Sequence, residues 1–169
     1  MMCSGYYRYE AGYAPEFAGR DKFKGQIIHP QHWPEDLDYA GKKVVVIGSG
    51  ATAVTIVPEM AKTAGHVVML QRSPTYFRAG RNVNELAETL REVDTPEEWV
   101  HEIVRRRMLF EGAKFTERCF AEPETVKREL MENVRDRLKP EYRDSVDVDF
   151  NPHYLPWRQR LAFVPDGDL

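Results

Sequence analysis

Two short apolar runs organise the first half of the chain: KVVVI at 43–47 and HVVML at 66–70. Both are rich in β-branched residues and are continuous rather than alternating, which is typical of buried parallel strands. Between them, residues 51–62 carry apolar side chains at helical spacing, although Pro58 predicts a kink or a shortened helix there. Strand, helix and strand have the size of a βαβ unit, and a right-handed crossover makes the two strands parallel.

The middle of the chain is charged and helix-prone, and it predicts helices over 84–91, 96–110 and 123–138. Thr95 is a suitable N-cap for the second of these, with Pro96 at the first helical position. The tail returns to aromatic residues and proline before a short strand-like stretch, LAFV, at 161–164.

These elements predict an α/β fold, with a Rossmann-like parallel sheet over 41–169 that carries a helical insertion at about 82–143. Residues 1–40 are rich in aromatics, glycine and proline, so we expect loops and short extended pieces that serve as a linker. The chain stops just after its last predicted strand, and we expect further sheet to follow in a complete protein.

Composition excludes several classes of protein. The 169 residues carry a net charge of −3, so no global field favours nucleic acid or an anionic membrane. The basic run at 105–107 has acidic neighbours and is typical of a solvated helix face. Cys3 and Cys119 form no disulfide or metal framework, and free thiols in a reducing cytosol are the simplest interpretation. Neither a signal peptide nor a membrane span is visible.

A glycine-rich turn between the first strand and the first helix predicts a phosphate-binding site. Gly48 allows the tight turn, Gly50 lets the backbone approach a pyrophosphate, and Ala53 is small enough for helix and strand to pack. The helix N-terminus adds free N–H groups and a partial positive charge. A purely structural turn is the alternative. The candidate cofactor contacts here are Gly48, Ser49, Gly50, Ala51, Thr52 and Ala53.

The end of the second strand predicts which dinucleotide binds. NAD-selective folds carry an acidic residue at this point, whereas this chain has Gln71, Arg72 and Ser73. A guanidinium can hold a 2′-phosphate bidentately, and a serine hydroxyl can add a hydrogen bond. The sequence therefore favours NADP(H) over NAD(H) and FAD, unless Arg72 is an ordinary surface arginine.

The stretch FKGQIIHPQHWP at 23–34 precedes the glycine turn and resembles the F-x-G-x-x-x-H-x-x-x-W-P fingerprint of type I Baeyer–Villiger monooxygenases, a group of class B flavoprotein monooxygenases. Segments 3–17, 29–54, 69–76 and 156–169 are most similar to the EthA-like branch of that family. The resemblance covers both ends of the chain and is weaker over 84–143.

The resemblance implies an enzyme that binds FAD and NADPH in two domains and oxygenates a ketone or a sulfur-containing small molecule. The fingerprint would link the domains, with His29 acting in domain movement or cofactor communication. By position in PWRQRL, Arg160 would reach the nicotinamide and the flavin, where a fixed cation would stabilise developing negative charge. Gln159 stands where many relatives carry a lysine that contacts the 2′-phosphate, so binding of the 2′-phosphate would depend more on Arg72.

No earlier glycine motif for FAD precedes Gly48. We therefore expect the NADP(H)-binding portion of a monooxygenase, inactive alone, with a separate FAD-domain polypeptide as one partner. A free-standing NADP-binding or interaction module derived from such an enzyme is the alternative. A third possibility is a complete single-domain NADP-dependent reductase, but we see no motif in the sequence that supports it. His29 and His32 could suggest a metal pair, but further ligands are not evident nearby, and we predict no metal site.

Overall fold

The computed structural model describes residue 5 and residues 8–169 and has the predicted α/β class, with two small parallel sheets and surrounding helices. In chain order its strands and helices are β1 (Lys43–Ile47), α1 (Ala51–Ala61), β2 (His66–Leu70), β3 (Tyr76–Gly80), α2 (Glu85–Glu92), α3 (Glu97–Ala121), α4 (Pro123–Arg135), α5 (Val146–Asp149) and β4 (Leu161–Pro165).

The predicted βαβ unit is confirmed, since β1 and β2 pair in parallel from Lys43–His66 to Ile47–Leu70 with α1 between them in the chain. The prediction that both strands are buried is wrong. Burial alternates along each strand, and α1 packs against the half-buried side. The other side leaves Val45 59% and Ile47 62% exposed. A continuous apolar run predicts two covered faces, whereas the described residues cover one.

The second sheet, β3 with β4, forms the centre of the hydrophobic core. The strands are parallel, in register from Tyr76–Leu161 to Gly80–Pro165, which confirms the predicted terminal strand and adds β3, which the sequence analysis missed. One face packs Tyr76 against α3 and α4, and the opposite face packs Phe77 and Val164 against Val54 of α1. The helix α1 therefore contacts both sheets.

The helices lie where the pattern predicts them, with four corrections to their ends. The helix predicted over 123–138 ends at Arg135. Pro58 does not shorten α1, which continues to Ala61. The second helix of the charged region runs beyond residue 110 to Ala121. Thr95 is not its N-cap, because Pro96 has extended backbone (ψ 138°) and the helix begins at Glu97 without a side-chain cap.

Before β1, the described residues form loops with two single-turn 3₁₀ helices, Arg20–Lys22 and Pro30–His32, as the composition of this segment predicts. Cys119 is a free, fully buried thiol in the core, and burial raises its pKa. Cys3 lies outside the described residues. Within the described part of the chain, no helix is long and apolar enough to cross a membrane.

Candidate functional site

The glycine turn leaves its backbone open to a ligand. Gly48 has a φ of 127°, which favours glycine, and its N–H donates to the Leu70 carbonyl at 2.8 Å. A methyl group added at either Gly48 or Gly50 would meet no atom within 4 Å, so the space in front of both residues is free. Ala53 is buried where α1 packs on the rest of the fold. These features fit the approach of a diphosphate group to the turn.

The N-terminus of α1 lies directly after this turn and presents amides that have no acceptor among the described residues. Gly50 is the N-cap, and no side chain in the described part of the protein caps the helix. The Val54 N–H donates to the Gly50 carbonyl at 3.0 Å, which is the first bond of the helix ladder. The preceding amides, of Ala51, Thr52 and Ala53, have no acceptor within the helix. With the helix dipole they create a positive partial charge that attracts an anion.

Arg72 lies on the loop that follows β2. Because Ile47 pairs with Leu70, the glycine turn and this loop leave the same edge of the sheet on neighbouring strands. The Arg72 side chain is exposed and forms no hydrogen bond or ion pair with any residue that the structure describes. A guanidinium without a carboxylate partner keeps its donors for an anionic ligand. The loop therefore adds a second positive group near the helix N-terminus.

Two of the predicted cofactor contacts direct their side chains into the protein instead. The Ser49 hydroxyl is buried and lies 3.3 Å from the Ser73 carbonyl and 3.2 Å from the Thr75 hydroxyl. The Gln71 amide donates to the Asp149 carbonyl at 2.6 Å, beside α5. Ser49 thus offers a ligand its backbone rather than its hydroxyl. Thr75 is absent from the sequence-based candidates, because a lone threonine before a strand gives no signal of its own.

The tail brings Gln159 and Arg160 to the start of β4. The pairing of Tyr76 with Leu161 puts Arg160 level with Thr75, which contacts the glycine turn through Ser49. The Arg160 carbonyl accepts a hydrogen bond from the Tyr154 hydroxyl at 2.7 Å. The side chains of Gln159 and Arg160 are both exposed. The sheet pairing therefore gathers the turn, the Arg72 loop and the tail arginine at one region of the molecule.

His29 lies elsewhere, in the segment before β1. Its Nδ1 accepts from the Gln31 N–H at 3.3 Å and caps a 3₁₀ turn, and its ring lies so close to Gly12 that a methyl group there would collide with it. The Gln31 amide in turn donates to the Arg8 and Tyr9 carbonyls. Trp33 of the fingerprint is 42% exposed. No group of three or more metal-binding side chains occurs in residue 5 or residues 8–169.

Two concave surfaces of the described residues lie away from the glycine turn. One is formed between α4 and the β3–β4 sheet around Phe77 and Val134, and the other lies between α2 and α3 around Val100 and Met108. The glycine turn lines neither of them, and the free space in front of Gly48 and Gly50 leaves room for a ligand across the ends of β1 and β2.

Comparison with known proteins supports the sequence resemblance. The model of the flavin-binding monooxygenase-like family matches residues 1–85. MymA of Mycobacterium tuberculosis is 51% identical over 174 residues, covering 100% of this chain and 34% of that protein. The FAD-containing monooxygenase EthA of the same species is 47% identical over 170 residues, covering 100% of this chain and 34% of EthA. The chain thus spans about a third of the length of these curated relatives.

A solved structure, an oxidised steroid monooxygenase bound to NADP, has a TM-score of 0.65 at 20% identity, covering 93% of this chain and 36% of that one. The complex of OTEMO with FAD and NADP has a TM-score of 0.61 at 19% identity, covering 94% of this chain and 37% of that one. At these identities the likeness shows a shared fold, which agrees with the α/β architecture described above.

Proposed function

This chain belongs to the flavin-binding monooxygenase-like family, and we propose that it forms the NADP(H)-binding portion of an FAD- and NADPH-dependent monooxygenase. The observation that carries the proposal is the glycine turn, where open backbone, free helix amides and the Arg72 cation occur on neighbouring strand ends. The NADP named for the steroid monooxygenase is bound by a protein of similar fold. We also propose that residues 1–40 form a linker and that residues 41–169 form the nucleotide-binding domain.

The diphosphate of the nucleotide would lie across Gly48 and Gly50. Any side chain at these positions would project into space that is now empty, and a residue other than glycine would be strained at the φ of Gly48. The amides of Ala51, Thr52 and Ala53 would donate to the phosphate oxygens. Such hydrogen bonds to a charged acceptor are worth about 1.5–3 kcal/mol each.

The adenosine 2′-phosphate would bind Arg72. Its guanidinium is exposed and has no acidic partner among the described residues, so binding would break no existing ion pair. Ser73 follows Arg72; its carbonyl accepts from Ser49, and its hydroxyl would add an uncharged hydrogen bond to the phosphate. Selection of NADP(H) would thus depend on one cation, because Gln159 supplies no second positive charge and Gln71 is held by Asp149.

The oxygen chemistry of the proposed reaction is supplied by FAD when it is bound in the complete enzyme. This chain would bind NADPH and orient its nicotinamide end, with Arg160 as a fixed cation that stabilises negative charge at the reacting centre. For His29 we propose a role in coupling the linker to domain movement, because it contacts the N-terminal segment rather than the glycine turn. A ketone or a sulfur-containing small molecule is the proposed substrate of the whole enzyme.

Three measurements on the purified chain test the proposal together. Calorimetry is expected to detect NADPH binding, the visible spectrum to lack flavin bands, and NADPH consumption with ketone or sulfide substrates to stay at background. A chain that does not bind NADPH would refute the nucleotide site. A yellow chain that oxidises substrates alone would refute its assignment as the NADP(H)-binding portion.

The exposed apolar side of β1 and β2 favours a second candidate, a free-standing NADP-binding or interaction module that uses this face for a partner. Adding a separate FAD-domain polypeptide distinguishes the two functions. Restored NADPH-dependent oxygenation supports the monooxygenase, whereas NADPH binding that no FAD-domain polypeptide converts into turnover supports the module.

A further inference from the structure

Two hydroxyl groups connect the glycine turn with the Arg72 loop inside the protein. The Ser49 and Thr75 side chains lie 3.2 Å apart, oxygen to oxygen, and the Ser49 hydroxyl lies 3.3 Å from the Ser73 carbonyl. Ser49 is 4% exposed and Thr75 is 1% exposed. Among the described residues these are the two polar residues that are buried as a whole. We call Ser49 and Thr75 the hydroxyl brace.

The direction of the hydrogen bonds in the brace follows from their chemistry. A carbonyl oxygen can only accept, so Ser49 donates its single hydrogen to Ser73. That hydrogen is then not available to Thr75, and the Thr75 hydroxyl must donate to the Ser49 oxygen. Both buried hydroxyls are satisfied only while this chain of bonds is intact. Removing the Thr75 hydroxyl would leave Ser49 with its carbonyl partner alone.

The brace joins a fixed part of the fold to the two parts that would contact phosphate. Thr75 directly precedes Tyr76, which is buried in the core and donates its hydroxyl hydrogen to the Tyr154 carbonyl at 2.6 Å. Ser49 lies between the two glycines of the turn, and Ser73 directly follows Arg72. The packing of Tyr76 in the core thus fixes the position of Thr75. Thr75 is hydrogen-bonded to Ser49 in the turn, and Ser49 is hydrogen-bonded to Ser73 in the Arg72 loop.

We propose that Thr75 is a positioning residue that, through Ser49, fixes the separation between the glycine turn and Arg72 and thereby sets the preference for a 2′-phosphorylated dinucleotide. This inference rests on the proposed NADP(H)-binding function and adds a determinant of its selectivity. A ligand with a 2′-phosphate must reach the turn and Arg72 at once, so it is sensitive to their separation. A ligand without that phosphate uses the turn alone and is insensitive to it.

The test compares Thr75→Val, which keeps the side-chain shape and removes the hydroxyl, with Thr75→Ser, which keeps the hydroxyl. Dissociation constants for NADPH and NADH are measured by calorimetry for both variants and the unmodified chain, and thermal unfolding is recorded in parallel. We expect Thr75→Val to reduce the NADPH-over-NADH preference about fivefold to tenfold, with NADH affinity nearly unchanged. Thr75→Ser should retain the preference.

The outcomes separate this inference from the proposed function. An unmodified chain that does not bind NADPH refutes the function and the inference together, whereas one that binds NADPH and NADH equally refutes the inference alone. A preference that survives in Thr75→Val, or an equal loss for both nucleotides, refutes the brace alone, because a purely structural role would weaken both ligands alike. If Thr75→Val does not fold, Ser49→Ala removes the other hydroxyl of the brace, and the same selective loss is expected.

Discussion

Replacing Arg72 with alanine removes the cation to which we assign the 2′-phosphate, and the size of the effect can be derived from its surroundings. The guanidinium is exposed and has no acidic partner in the described part of the chain, so the substitution breaks no existing ion pair. A charge-assisted hydrogen bond contributes about 1.5–3 kcal/mol, which corresponds to roughly 10–150-fold in affinity. We expect NADPH affinity to fall by this factor while NADH affinity stays within about twofold.

The assay is calorimetric titration of both nucleotides at low and moderate salt. Arg105→Ala is the matched control, because Arg105 is exposed on α3 and also lacks an ion pair among the described residues. It changes net charge by the same amount without altering the proposed site. Arg72→Lys separates charge from geometry, since a lysine keeps the charge but not the bidentate fork. We expect its NADPH affinity to lie between those of the unmodified chain and Arg72→Ala.

Three results would refute this reasoning about Arg72. Equal affinity of the unmodified chain for NADPH and NADH would show that no residue recognises the 2′-phosphate. A preference that persists in Arg72→Ala would move the phosphate contact elsewhere. A similar loss in Arg105→Ala would point to general attraction between charges instead of a specific contact, and higher salt would then reduce both affinities alike.

Two further predictions concern the core and the exposed sheet face. Burial, with a smaller effect of Tyr154, raises the pKa of Tyr76 to about 12 from 10.0, so the folded chain retains a proton that the unfolded chain releases. Stability should therefore fall between about pH 10 and 12, by up to about 2 kcal/mol, and urea midpoints should show a shallower fall in Tyr76→Phe. The exposed apolar side of β1 should make the chain associate with itself at high concentration, as measured by sedimentation velocity, and Val45→Lys, which places a charge there, should weaken that association. Association that Val45→Lys leaves unchanged would exclude this face.

The sequence was sufficient for the elements whose signals are local. The apolar runs at 43–47 and 66–70 and the glycines between them determine a βαβ unit without help from distant residues. The strand β3 was missed because YFRAG is short, includes a charged residue and a glycine, and follows a proline-containing loop. Its strand conformation depends on pairing with β4, far along the chain, which no local pattern reports.

The same distinction applies to the candidate site. Gly48 and Gly50 are recognisable from spacing, because a turn between strand and helix constrains its own residues. The hydroxyl brace was not recognisable, because the contact between Ser49 and Thr75 exists only after the loop that follows β2 folds back on the turn. The predicted burial of β1 failed for a related reason. An apolar run shows that a strand can be covered on both faces, whereas its burial depends on which elements lie against it.

The core connects the parts of the candidate site that lie far apart in sequence. Val54 of α1 packs against Phe77 of β3 and Val164 of β4, and Met69 of β2 lies against the same cluster. The helix whose N-terminus would hold the diphosphate is thus fixed to both sheets. Arg72 lies on the loop that follows the first sheet, and Thr75 and Arg160 directly precede the two strands of the second. Since packed cores resist small displacements, the separation between the two phosphate positions is a property of this cluster as well as of the loops. Selectivity for the nucleotide should therefore depend on buried residues that never touch it.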